Sequence, residues 1–132
     1  MKVTQENGKI LALVHRADDW KKGLDFLTTD DSGLQAGTWW YDEGKTLDRH
    51  HHNILERHTN LTQECVIVLK GRMHVDVYTE DKKFLCDFEL ISGEFAIFLG
   101  GGHAYKILEN DTKILETKNG PFMGVKLDKT RF

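Results

Sequence analysis

Between Arg72 and Tyr78 apolar and polar residues alternate without a break. Met73, Val75 and Val77 fall on one side, and Arg72, His74, Asp76 and Tyr78 on the other. A period of two is the pattern of a strand with one buried face, and no helix can bury those three residues together. Similar short runs recur along the chain. Residues 8–16, 24–28, 34–42, 47–53, 64–69, 84–91, 95–99, 103–109 and 112–117 all read as strands. Turn residues punctuate them: Thr29-Asp30-Asp31-Ser32-Gly33, Gly44, Lys70-Gly71, Thr79-Glu80-Asp81-Lys82, Ser92-Gly93 and Asn110-Asp111. Asn110-Asp111 reads as a hairpin turn joining the strands on either side. Residues 54–63 are polar and mixed and read as a loop. Only the surroundings of Trp20 and Leu55 offer weak helix. Many short strands at steady spacing predict an all-β sandwich or barrel.

With 132 residues, 39% of them hydrophobic and 30% charged, the chain is long enough for one globular domain and too apolar for a disordered one. A net charge of −3 gives no electrostatic footprint for nucleic acid. The purely aliphatic runs, such as Ile10 to Val14, are far short of the roughly 20 residues of a membrane span. The first residues lack the apolar segment of a secretory signal, so the expectation is a cytosolic protein with no membrane partner. The two cysteines, Cys65 and Cys86, make no disulfide framework or zinc knuckle and read as reduced structural thiols.

Chemistry-bearing residues concentrate around His50-His51-His52. On a strand His50 and His52 point the same way and His51 the other. Glu64 opens the apolar strand 64–69, and its parity places it on the same face as Val66 and Val68. His103 follows the run Gly100-Gly101-Gly102, which lacks the Lys-Ser/Thr of a phosphate loop and reads as backbone bending close to a site. Three imidazoles and a carboxylate form a mixed N/O set suited to a divalent first-row metal with open positions. His50, His52, Glu64 and His103 are therefore the candidate ligands for Fe(II), Mn, Ni, Co or Zn. The alternatives are Glu56 as the carboxylate and His58 as a competing ligand. His103 read as a plain loop residue is the bland case. His15 and His74 read as surface residues. Trp39, Trp40 and Tyr41 alternate faces, some for the core and some for a pocket mouth or a subunit contact.

These residues resemble the cupin superfamily. Its first motif runs Gly, five residues, His-x-His, three or four residues, Glu, six residues, Gly. Gly44 with His50-x-His52 matches the first half, and Glu64 with Gly71 the second. The eleven residues between His52 and Glu64 depart from the pattern and imply an inserted loop. Glu56 has the family spacing from His52 but no strand and glycine after it, which favours Glu64. In the second motif Gly93 and His103 are kept. Leu99 stands for the proline, the histidine comes one residue early, and Ile107 stands for the asparagine.

The likeness covers roughly residues 34–118, with residues 1–33 as added N-terminal strands and 119–132 as a tail of one domain. It implies a double-stranded β-helix, a jelly roll or cupin barrel, with the metal in its mouth. Residues 115–122 resemble small cupins of bacterial surface-polysaccharide and sugar-nucleotide pathways. What this implies is a metal-dependent isomerase, epimerase or dioxygenase acting on a small molecule. The competing expectations are a non-catalytic ligand-binding or sensing cupin, and a metal-free isomerase using a histidine base. Small cupins expose edge strands that need covering. A homodimer is therefore expected, with residues 8–16 and 24–28 available to cross onto the partner.

Overall fold

The computed structural model describes residues 1–132 and is all-β, with ten strands and no helix longer than four residues. In chain order the strands are β1 (Lys2–Thr4), β2 (Ile10–His15), β3 (Gly23–Phe26), β4 (Gly37–Trp40) and β5 (Glu64–Lys70). After them come β6 (Arg72–Tyr78), β7 (Phe84–Ile91), β8 (Phe95–Phe98), β9 (Gly102–Ile107) and β10 (Lys113–Lys118). Five form an antiparallel sheet in the order β1-β2-β8-β5-β10, and three form a second in the order β7-β6-β9. Strands β3 and β4 make a separate two-stranded ribbon.

The alternation at 72–78 does what its period requires. Met73, Val75 and Val77 are buried. They meet Leu11, Val14, Val66, Val68 and Phe98 of the larger sheet in one core. Two antiparallel sheets facing each other across shared side chains are compatible with a β-sandwich, and neither closes on itself into a barrel. A smaller cluster, Cys65, Phe95 and Ile97, lies on the opposite face of the five-stranded sheet under Leu27, Leu34 and Ala36. No helix is long and apolar enough to cross a membrane.

Three expectations need correction. First, residues 47–53 form no strand, and the whole stretch 41–63 carries none. Between Leu47 and Ile54 every side chain is polar or charged, so no apolar face is gained by ordering this piece, and chain entropy prevails. Second, Asn110-Asp111 does not join a hairpin. Strand β9 pairs with β6 and β10 with β5, so the turn carries the chain from one sheet to the other. Gly71 makes the matching corner between β5 and β6 with φ 85°, and a Cβ there would collide with Thr112 Oγ1. The two corners touch, and a side chain at position 71 would separate them. Third, residues 8–16 are not free to cross to a partner, because β2 is paired on both edges, with β1 and β8.

His15, read as a surface residue, is instead buried at 5% exposure. Its ring stacks on Phe95 at 4.5 Å, and neither ring nitrogen has a partner. Burial lowers its pKa, with the nearby Asp19 carboxylate acting the other way.

Candidate functional site

Strand parity and the sheet corners bring one polar cluster to an end of the core. Glu64 faces inward with Val66 and Val68, as its position predicts, and is 4% exposed. Directly opposite it in the ladders stand Phe98 of β8 and Lys118 of β10. From the other sheet, His103 and Tyr105 lie opposite Val77 and Val75 and so share their inward face. The site thus sits between β9 at the edge of one sheet and β5 and β10 at the edge of the other.

The carboxylate of Glu64 is fully engaged. Oε1 accepts from Tyr105 Oη at 2.6 Å and lies 2.9 Å from His103 Nε2, while Lys118 Nζ lies 3.2 Å from Oε2. Burial by itself would raise the Glu64 pKa. Hydrogen bonds from His103, Tyr105 and Lys118, with the charge His103 carries when protonated, outweigh it and bring the carboxyl down to about 2. Tyr105 shifts upward, first because it is buried and then because its hydroxyl is bonded to a carboxylate. Lys118 also shifts upward, chiefly through its bond to Glu116 and then through Glu64.

An ionised carboxylate only accepts, so the proton shared with His103 sits on Nε2. That leaves His103 Nδ1 as the ring's other polar atom, and it is buried without a hydrogen-bond partner. The imidazole packs against two aromatics, Phe98 at 4.4 Å with its ring tilted by 38° and Tyr105 at 5.1 Å with an interplanar angle of 29°.

Of the four residues put forward as metal ligands, Glu64 and His103 are brought together. His50 and His52 are not brought to them. Both are exposed on the strandless stretch 41–63, with their rings 5.4 Å apart and His50 Nδ1 2.9 Å from the Asp48 carbonyl. The alternative ligands Glu56 and His58 are on the same stretch, exposed and paired with each other at 3.1 Å. No group of three or more His, Cys, Asp or Glu side chains converges. Both oxygens of Glu64 are already taken by donors, one of them an ammonium that would repel a cation. In this arrangement the four residues do not fit a single metal.

Two members of the cluster escaped the sequence reading. Tyr105 is two residues beyond His103 on the same strand, so its inward direction was available from parity alone. Lys118 had no such signal, because its place beside Glu64 depends on the register of β10 against β5. Two clefts lie away from this cluster. One of about 260 Å³ runs along His15, Asp19, Lys21 and Asp25. Comparison with protein families, with characterised proteins and with solved structures finds no match to this chain.

Proposed function

We propose that the chain is a cupin-like jelly-roll protein acting on a small carbonyl-bearing molecule by proton transfer, with His103 as the base and Glu64 as the residue that positions it. The observation that carries this reading is the His103 ring, fixed through Nε2 on a buried carboxylate with Nδ1 left unpartnered. A buried polar atom without a partner is costly, and a ligand brought to it removes that cost. Nδ1 takes a proton from a carbon made acidic by a neighbouring carbonyl. Glu64 stabilises the imidazolium that forms, its new proton exchanges with solvent, and a proton is then returned to that carbon or its neighbour. This is the chemistry of an epimerase or isomerase of sugars or keto acids. The Lys118 ammonium is the positive charge available to the oxygen that becomes negative.

The test is incubation of the purified protein in D₂O with sugar phosphates, nucleotide sugars and keto acids. Loss of one C–H signal by NMR is the expected result. Binding without exchange across the panel would leave a ligand-binding module in its place.

A divalent metal is the second reading, favoured by the free outer edge of β9 beside His103. Were residues 47–53 to add there as a strand, His50 and His52 would come to the same end of the core. Metal analysis separates the two readings. Bound metal in the wild type that is lost in both His52→Ala and Glu64→Ala, but kept in Glu56→Ala, would favour the metal site.

A further inference from the structure

We propose that the cleft between His15 and strand β3 is a second small-molecule site, one that takes a neutral sugar of one or two rings. It lies on the outer face of the five-stranded sheet, away from Glu64 and His103. In the ladder between β2 and β8, Leu13 stands opposite Ile97 and His15 opposite Phe95, so these four share the face that carries the smaller cluster. Asp25 of β3 and Leu27 just beyond it form another part of the lining. The space is about 260 Å³, the liquid volume of roughly nine waters.

The observation that carries the proposal is a gathering of buried polar atoms with nothing to bond. Four buried side-chain atoms lack a partner. One is His103 Nδ1. The other three are both ring nitrogens of His15 and the hydroxyl of Thr38, which stands directly opposite Asp25 in the ribbon. Buried polar atoms are nearly always bonded, and an unmet one destabilises the fold. The His15 ring is clamped by Phe95 at 4.5 Å and Trp20 at 5.2 Å, and no other side chain bonds its nitrogens. A bound molecule supplies the missing partners.

The chemistry of the lining selects the ligand. Burial lowers the His15 pKa, so the ring is uncharged at neutral pH, with one nitrogen that donates and one that accepts. A hydroxyl does both, so a molecule with several hydroxyls answers either nitrogen. Asp25, 25% exposed, adds a carboxylate acceptor. The charges on the lining balance, Lys2 and Lys21 against Asp19 and Asp25. Lys21 and Asp25 are paired at 3.1 Å, and Asp19 accepts from the Arg16 backbone N–H at 2.8 Å. An ion of either sign therefore gains little here. Leu13, Leu27 and Ile97 give an apolar wall for the C–H face of a ring. Past Leu13 and Leu27 lies a second cleft of about 430 Å³, where Thr29, Ser32 and Gln63 again offer hydroxyl and amide groups. Its Lys9 is already paired with Glu80.

Titration of the full chain with glucose, galactose, maltose and lactose tests the proposal, each taken to about 50 mM so that millimolar affinities are reached. The readout is long-range ¹H–¹⁵N NMR of histidine-labelled protein, with His15→Leu assigning the signals. At least one sugar is expected to shift the His15 ring nitrogens. The shift is expected to persist in His103→Gln, which separates this site from the Glu64–His103 cluster. His15→Leu, of similar size, is expected to weaken binding of that sugar about 10-fold or more, with an unchanged circular dichroism spectrum. Wild-type His15 nitrogens that respond to none of the four sugars overturn the proposal. So does sugar binding that His15→Leu leaves unchanged. Glucuronate or glucosamine binding more tightly than every neutral sugar would contradict the uncharged ligand.

Discussion

Replacing Glu64 with alanine is expected to cost the fold about 3 kcal/mol, read as a lower urea midpoint at neutral pH with unchanged slope. The loss comes from what is left behind. Tyr105 loses its acceptor, His103 loses the partner of Nε2, and Lys118 keeps only Glu116. Fully buried, such orphaned groups cost roughly 3–5 kcal/mol. Here the His103 and Lys118 side chains are about a quarter exposed, so water recovers part of the loss and the lower end applies. The core packed around Leu11, Val75 and Leu90 is untouched, so the variant should still fold.

The same carboxyl gives the wild type a defined acid window. Its pKa falls from 4.5 to about 2 on folding. A depressed carboxyl contributes its full stability above 4.5, and that contribution disappears as pH falls through about 2. The size is on the order of 3 kcal/mol, in line with the alanine substitution. Subtracting the stability of Glu64→Gln from that of wild type across this range should reveal the step. A flat difference would mean that Glu64 is not held by these donors.

His103→Gln is expected to lower proton exchange on the responsive substrate by roughly 10²- to 10⁴-fold, the usual contribution of a positioned base, with KM changed only a few-fold. Glutamine keeps the size and a hydrogen bond but cannot carry the proton. Glu64→Gln leaves the imidazole in place and removes the anion that stabilises its charged form. The rate should fall less than in His103→Gln, and the pH–rate profile should move, a readout that a purely structural Glu64 would leave alone. An unchanged rate in His103→Gln would remove His103 from the chemistry.

Local pattern carried a large part of this fold. The strict alternation at 72–78 and the apolar run at 64–69 specify strands and inward faces, because period two leaves each residue one direction to point. Glu64 could therefore be placed beside Val66 and Val68 before any pairing was known. The sheets themselves were not legible, because turn residues say that the chain turns but not which sheet it enters. Asn110-Asp111 was read as a hairpin for that reason. Lys118 stayed hidden for a related one, since its neighbours are set by a register between strands more than forty residues apart. His50 and His52 owed their strand reading to spacing alone. Without apolar neighbours, spacing does not hold a strand to a sheet.

The most direct measurement is the tautomer of His103, read from its ring nitrogens by long-range ¹H–¹⁵N NMR of histidine-labelled protein in alkaline buffer, with His103→Gln assigning the signals. The expected result is a protonated Nε2 and a bare Nδ1, with the preference weakened or lost in Glu64→Gln. A proton found on Nδ1, or a tautomer indifferent to Glu64, would contradict a base held ready by that carboxylate.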